Sequence, residues 1–502
     1  MNRHSILYKF KIIQNLIDVT SINSKKTKSK LKFIYNKHLI QKIMHLGEGE
    51  FLFDENFSNL VIKNKAKTKN FKISRDNGFE SISNILYVKS LIEFILIWSL
   101  MFFYYFIAFI FHRNLERRTK IIIFGVEHLN FNNNEIRNNF IDFIKKYITI
   151  TNNDDVLVSS NTFKVSIFKN FIFRKHPYNI ILNYGLKFDD FIKIQLLHMR
   201  YLFIFIRNSF FDKRAAILAR DFALMSLFDF SNSNKLIKSI IFTNTNLNYQ
   251  PLWSSNYINK NFSTSMFWYS ENNHPVVSDS KENNKYFNQY HPHISLLNID
   301  NHYVWTKIFA KVLKKLTSAK KVFIIGPILW KNILIDNKSI SNKKNIVIFD
   351  VTALSEEWKR NSGYSDVFYT YKNMKKFILD IVDCKNSIKN LSKTKVILKP
   401  KREVILKNDI RYINFLKRLE SEKKIVIIDS TSDINDEIKQ ASFVICVPFT
   451  SPLILADYLK KDCIYYDPTG SIIPYEGQGK FLIKGKEELY KKLLKINKRG
   501  IN

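Results

Sequence analysis

From residue 119 onward the sequence returns again and again to one pattern. A short continuous apolar run is ended by Ser, Asn, Gly, Thr or Asp, and a longer stretch with helical periodicity follows. Lys120–Gly125, Val156–Ser160, Tyr178–Asn183 and Ser239–Asn244 form a first series. Lys321–Gly326, Asn345–Asp350, Thr394–Lys399, Lys424–Asp429, Phe443–Val447 and Asp462–Tyr466 form a second. Unbroken apolar runs belong to strands covered on both faces, because a parallel sheet carries helices on each side. Stretches near 135–147, 189–207, 211–229, 304–316, 371–383, 409–420 and 451–461 supply those helices. The expectation is an α/β chain with two Rossmann-like doubly wound domains. The first would cover 119–300 and the second 301–485, closed by an amphipathic helix and tail over 486–502.

Before the first strand comes a run of 18 residues without a charge, Phe94–Phe111. At 1.5 Å per residue a helix of that length covers about 27 Å, enough to cross a bilayer's hydrocarbon core. Trp98, Tyr104 and Tyr105 add interfacial character, and His112-Arg113 and Arg117-Arg118 follow. Lysines also precede the run, so charge asymmetry sets no orientation. Residues 86–118 are therefore expected to form a hydrophobic membrane-associated helix, either a single span or a monotopic helix lying in the interface. Residues 1–85 alternate short apolar runs with Lys-rich stretches and read as a loosely structured basic extension. Met1-Asn2-Arg3-His4 opens no apolar segment with a small-residue cleavage site, so no secretory signal is expected.

Composition removes several function classes. Of 502 residues only 12 are glycine, and neither G-x-G-x-x-G nor G-x-x-x-x-G-K-[ST] occurs. Kinase, ATPase and nicotinamide-enzyme readings lose their usual phosphate cradles. Cys384, Cys446 and Cys463 have no C-x-x-C spacing, so neither a disulfide framework nor a cysteine zinc site is expected. His291-Pro292-His293 is the nearest approach to a metal pair and reads as a polar loop, so no metal and no cofactor are expected. The formal charge of +35 is spread along the whole chain among many Asn, Ile and Phe residues. It reads as diffuse bias with an attraction to an anionic membrane surface, not as a nucleic-acid stripe.

In open parallel sheets ligands bind beyond the C-terminal ends of the strands. Strand 394–399 ends in Lys399-Pro400-Lys401-Arg402, and strand 424–429 in Ser430-Thr431-Ser432. Strand 443–447 runs through Pro448-Phe449-Thr450-Ser451-Pro452 straight into a helix. Thr450 or Ser451 is a good N-cap and Pro452 suits the first turn, so this junction offers backbone N–H groups to an anion. Lys399, Lys401, Arg402, Ser430, Thr450 and Ser451 are the expected phosphate-binding residues.

The segment Ala441–Pro452, continuing to Tyr465-Tyr466-Asp467-Pro468-Thr469-Gly470, resembles the polysaccharide biosynthesis PFTS-motif family. Further likeness lies in Phe242-Thr243-Asn244, Pro251-Leu252-Trp253, Phe267–Asn272 and His302–Thr306. The resemblance covers roughly 239–470 and leaves residues 1–118 without a counterpart. It implies a GT-B-like, metal-independent glycosyltransferase of bacterial surface polysaccharide synthesis (capsule, lipopolysaccharide or exopolysaccharide). The nucleotide-sugar donor would sit mainly in the C-terminal domain and a glycan or lipid-linked acceptor mainly in the N-terminal one, at the cytoplasmic face of the inner membrane or peripheral to it. An inverting reaction needs a general base. Glu271, after Phe267-Trp268-Tyr269, is the first candidate, with His274 and Asp300 in reserve. Asp467, Tyr269 and Trp305 are candidates for the donor's nucleoside or sugar, although Asp467 would equally start the turn that Pro468 and Gly470 continue. A CDP-glycerol-type phosphotransferase, a sugar epimerase and a non-catalytic basic nucleic-acid- or membrane-binding protein are the alternatives.

Overall fold

The computed structural model describes residues 84–498, apart from connecting segments of which the longest are 112–117, 160–165, 244–249, 255–260, 279–296, 329–344, 356–367 and 402–407. The extension expected over 1–85 thus lies almost wholly outside the described residues, as do His274, Arg402 and His291-Pro292-His293. The chain forms two compact units. Of the described residues, one gathers those of 84–269 and 292–332, the other those of 270–291 and 333–498.

The first unit runs α1 (Asn84–Ile110), β1 (Thr119–Phe124), α2 (Asn134–Tyr147), β2 (Asp154–Ser159), β3 (Ser166–Phe168), β4 (Phe171–Arg174), α3 (Phe188–Phe211), α4 (Ala219–Ser233), β5 (Ile237–Thr243) and β6 (Ser263–Phe267). After β7 (Val277–Ser278), which belongs to the second unit, it resumes with β8 (Asn301–Val304), α5 (Lys307–Leu316) and β9 (Lys321–Ile324). Its sheet has the order β3-β4-β2-β1-β5-β6-β8-β9. Every pairing is parallel except that of β3 with β4. Apolar runs such as Ile121-Ile122-Ile123 are wholly buried, as their continuity requires.

Two expectations about strands are corrected here. Lys321–Gly326 does not open the second sheet; β9 pairs with β8 through the short α5 crossover and closes the first. Tyr178–Asn183 is not a strand where described. Ile181 and Leu182 are buried in a turn, and the Leu182 N–H donates to the Tyr104 hydroxyl at 2.9 Å. Their apolar character serves packing under α1, while β4 takes the place beside β2.

Helices α1 and α3 pair antiparallel and both rest on α4, which is buried on nearly every side. Phe94 stacks on Phe205 at 3.8 Å, Trp98 on His198 at 4.5 Å and Phe109 on Phe191 at 4.7 Å. Ser226 of α4 meets the Tyr105 hydroxyl at 2.8 Å and His198 Nδ1 at 3.0 Å, so one polar knot joins all three helices. Among the described residues, Tyr87–Ile110 is the one helix long and apolar enough to cross a membrane.

Burial pulls the His198 imidazole down to about 4 and that of His302 on β8 to about 3. Both rings are neutral in the folded chain, while unfolded histidine titrates near 6.5. Below about pH 6.5 the unfolded chain takes up protons that the folded one refuses, so stability is lost as pH falls towards 4. Thermal melts of wild type should decline across that window, and His198→Gln should lose about half of the decline. At roughly 1.4 kcal/mol per pKa unit, His198 accounts for about 3 kcal/mol.

The second unit contains β10 (Asn345–Phe349), α6 (Tyr371–Asn386), β11 (Lys395–Lys399), α7 (Ile410–Ser421), β12 (Val426–Ile427), α8 (Ile434–Gln440), β13 (Phe443–Cys446), α9 (Ser451–Tyr458), β14 (Cys463–Asp467), β15 (Ile472–Ile473), β16 (Leu482–Lys484) and α10 (Gly485–Lys498). Its sheet is parallel throughout, in the order β12-β11-β10-β13-β14-β16. A small antiparallel pair, β7 with β15, stands beside it. Counted along the chain, the order is third, second, first, fourth, fifth, sixth, the doubly wound arrangement whose direction of travel reverses between the first and fourth strands. The first unit repeats it in β4-β2-β1-β5-β6-β8. The expected fold class, two Rossmann-like sheets preceded by a hydrophobic helix, is what the chain has.

Candidate functional site

In the second unit the reversal lies between β10 and β13, so the crevice opens between the residues that follow them. After β10 comes Asp350, which is buried. Its Oδ1 accepts the Lys401 N–H at 3.1 Å, and its Oδ2 accepts the hydroxyl of the fully buried Tyr412 at 2.8 Å. Burial pushes the Asp350 carboxyl up to about 6, although these two donors and the Lys401 charge pull the other way. The Asp409 N–H donates to Ala353 O at 2.9 Å, which anchors the start of α7 to the chain leaving β10.

After β13 comes Pro448-Phe449-Thr450-Ser451. Phe449 has φ +63, a left-handed backbone that a phenylalanine rarely adopts. The buried Phe449 ring meets Tyr465 edge-on at 5.7 Å. The Tyr369 hydroxyl donates to Pro448 O at 3.2 Å, and that of Tyr465 to Thr450 O at 2.9 Å. With its carbonyls held, the turn drops directly into α9, whose N-cap Thr450 makes no side-chain capping bond. The Thr450 hydroxyl donates instead to Val447 O at 2.8 Å. Ser451 Oγ accepts the Glu271 N–H at 3.1 Å. Both residues are buried, so the first turn of α9 is shaped by its neighbours.

On the other side of β10, Lys399 ends β11. Its ammonium donates to Ser430 O at 2.6 Å and therefore points towards β12. Burial lowers its pKa, while Glu437, Asp429, Asp433 and Asp350 hold the charged form. Lys401 is exposed and stands beside Asp350. The lysine turn and the Thr450-Ser451 corner thus lie at the same edge of one sheet, on the two strands that flank β10. Two strand spacings separate them by about 10 Å.

The remaining sequence candidates are distributed unevenly. Glu271 belongs to the second unit, fully buried against Ser451, and its charge helps raise the Tyr465 phenol. It does not sit in the first unit, where its place after Phe267 in the sequence would put it. Asp300 lies at the N-terminal ends of β6 and β8, the edge away from ligands. Its Oδ2 accepts the Thr264 N–H at 2.8 Å and hydroxyl at 3.0 Å, and its Oδ1 meets Lys320 at 2.9 Å. Asp467 is closed into its own turn, with Oδ1 accepting from Thr469 and Oδ2 from the Ile472 N–H at 2.8 Å. The turn reading of Asp467 is the one its contacts satisfy. Tyr269 and Trp305 follow β6 and β8 at the C-terminal edge of the first sheet, the former partly exposed and the latter nearly buried.

Sequence reasoning passed over Asp350, Tyr412 and the Phe449 backbone. A carboxylate placed immediately after the first strand of a series was a readable signal for Asp350. No local signal marks Tyr412, which reaches Asp350 across 62 positions.

Residues 202–493 match the family described as "Polysaccharide biosynthesis PFTS motif protein". A search of curated proteins finds no match. Among solved structures, an α,α-trehalose 6-phosphate synthase from Burkholderia multivorans is similar at 8% identity and a TM-score of 0.42, over 77% of this chain and 92% of that one. A UDP-GlcNAc 2-epimerase from Methanocaldococcus jannaschii is similar at 12% identity and 0.37, over 76% and 92%. A single-residue variant of the wall teichoic acid polymerase TagF is similar at 10% and 0.39, over 82% and 89%.

Proposed function

Because the chain belongs to the polysaccharide biosynthesis PFTS motif family, we propose that it is a glycosyltransferase. It moves a sugar from a nucleotide-activated donor to a glycan or lipid-linked acceptor of bacterial surface polysaccharide, at the cytoplasmic face of the inner membrane. The observation that carries this reading is the place of the Pro448–Ser451 corner, which delivers the α9 N-terminus to the reversal point of the second sheet.

As the glycosidic bond breaks, negative charge builds on the leaving nucleotide phosphate. Fixed N–H groups and cations lower that barrier without reorganising during the reaction. The first turn of α9 supplies the N–H groups. Lys401, pinned through its backbone to Asp350, supplies a cation, and these groups provide the charge that a metal would otherwise bring. Lys399 and Ser430 brace the lysine turn from the β12 side. Arg402 is assigned to the same phosphate by its place in the sequence. Glu271 is retained as the general base, because among the described candidates it is the acidic residue whose backbone N–H bonds to the corner and whose charge acts on Tyr465. Tyr269 and Trp305 keep their assignment to sugar or base stacking.

Thermal shift with CMP, CDP, UDP and GDP tests the proposal. At one hundred times its Kd a ligand stabilises by about 2.7 kcal/mol, or roughly 5–10 °C for a domain near 200 residues. One nucleotide should produce that rise in wild type. The double variant Thr450→Ala, Ser451→Ala should melt a few degrees lower and lose most of the rise. No shift of wild type with any of the four overturns the reading.

A further inference from the structure

Exposed large hydrophobic side chains are concentrated on two helices. Most of those among the described residues lie on Val88–Phe111 and Phe188–Phe211. On α1, Ile95, Phe103 and Ile110 are 59%, 59% and 55% exposed; on α3, Leu196, Phe203 and Phe210 are 66%, 64% and 80% exposed. Since α1 and α3 pack side by side on α4, both outer faces point away from the same neighbour and form one slab. Helices of 27 and 24 residues reach about 40 and 36 Å, at an axial spacing near 10 Å. A slab on the order of 800 Å² exceeds the largest apolar patch usual for a soluble monomer.

Charge identifies what covers it. Beyond its first turn α3 carries three charged side chains, Lys193, Arg200 and Arg207, all exposed and all basic. Their spacing of seven places them in one stripe. At 100° per residue this stripe borders the Leu196–Phe203–Phe210 stripe on the side away from the buried Ile194–His198–Phe205 stripe. An apolar face edged by Lys and Arg is how a helix lies at a bilayer interface, its aliphatic stems in the acyl boundary and its charges at the headgroups.

An isolated span is excluded by what holds α1. Its inner stripe is tied along its length: the Tyr87 hydroxyl to Ser209 O at 3.4 Å, the Tyr105 hydroxyl to Ser226, and the Leu186 N–H to Ala108 O at 2.8 Å. Lipid cannot surround a helix bonded in this way to α3, α4 and the chain before α3. We propose that α1 and α3 together form an in-plane foot that docks the first unit on an anionic lipid bilayer, with Lys193, Arg200 and Arg207 as its charged edge. This deepens the membrane location proposed above and rests on it, but not on the identity of the sugar.

The test is flotation of the full chain, purified in detergent, with phosphatidylcholine vesicles with and without phosphatidylglycerol. The triple variant Lys193→Gln, Arg200→Gln, Arg207→Gln should bind the anionic vesicles about 100-fold more weakly, at about 1 kcal/mol per basic residue, and the neutral ones unchanged. The variant Leu196→Ser, Phe203→Ser, Phe210→Ser should lose binding to both. Wild-type binding by the serine variant would assign the contact to α1 alone and overturn the foot. Equal binding of the glutamine variant and wild type to anionic vesicles would overturn the charged edge. A lipid-free dimer broken by the serine changes, with no vesicle binding by wild type, would make the slab an interface between copies and overturn the proposal. Nucleotide thermal shifts on the same samples separate the two readings: a retained shift shows that a variant is folded, and its absence in wild type counts against the transferase reading alone.

Discussion

Asp155→Ala is expected to cost about 3–5 kcal/mol of stability, the scale of a buried ion pair broken on one side. Lys120 and Asp155 occupy opposed positions on β1 and β2, where the sheet's register brings them together. Lys120 is 1% exposed, and its ammonium is bonded to the Asp155 carboxylate. Burial already lowers the Lys120 pKa, and Asp155 is the largest influence holding it up. Without Asp155 the lysine must stay charged in an apolar layer or give up its proton. Neutralising a lysine of ordinary pKa at pH 7 costs about 5 kcal/mol, which sets the ceiling. The sign with pH follows. The unfolded variant holds a proton that the folded variant has lost, so the deficit should shrink by about 1.4 kcal/mol per unit as pH rises from 7 to 9. Denaturant melts at the two pH values measure it. The double change Lys120→Met, Asp155→Leu should recover most of the loss, because an apolar pair of similar volume removes the unpaired charge. A deficit that does not change with pH would mean the cost is packing and not charge.

Asp350 should respond to its two substitutions differently at low pH, and both variants should gain on wild type as pH rises. Its folded-state pKa, about 6, lies above that of an ordinary aspartate, so its contribution is present at low pH and lost as pH rises through 6. Asp350→Asn mimics the protonated side chain: its oxygen accepts the Lys401 N–H as before, and its amide donates to the Tyr412 hydroxyl oxygen. It should raise stability at pH 7 by up to about 3 kcal/mol, with the gain vanishing near pH 4. Asp350→Ala removes the acceptor of the buried Tyr412 hydroxyl and frees the Lys401 backbone. It should lose about 1–3 kcal/mol near pH 4, a deficit that closes by pH 7 because the alanine has no carboxyl to titrate, and it should lose the nucleotide-dependent shift at both pH values. Melts of both variants at pH 4 and 7, with and without nucleotide, check this. If the asparagine variant is no more stable than wild type at pH 7, the carboxylate's burial carries no cost there.

Much of the fold could be read because strands covered on both faces leave unbroken apolar runs. Ile121–Phe124, Ile240–Phe242, Ile346–Phe349 and Phe443–Cys446 are all both legible and real. Where apolar residues serve another purpose, the same signal misleads. Ile181 and Leu182 are buried under a helix, and the β8 segment Asn-His-Tyr-Val is too short and polar to announce a strand. Strand order was not legible, since it depends on pairings between residues more than a hundred positions apart, such as Ile122 with Ile240. At the site, local chemistry marked the Pro448–Ser451 corner and the lysine turn. Hydroxyl direction was not marked: Thr450 bonds backward to Val447, a choice fixed by the left-handed residue before it. The apolar slab escaped notice because the Phe and Leu residues of α3 look like core until α4 is seen to occupy only one of its sides.

A chain with 12 glycines in 502 residues makes the left-handed corner before α9 out of phenylalanine. A glycine-rich cradle gives phosphate close access to bare backbone; this corner is wedged instead by a buried aromatic ring that fixes its form. On the transferase proposal, recognition there would be a matter of rigid fit, and selectivity among activated donors would follow from the angle at which one buried ring holds the peptide chain.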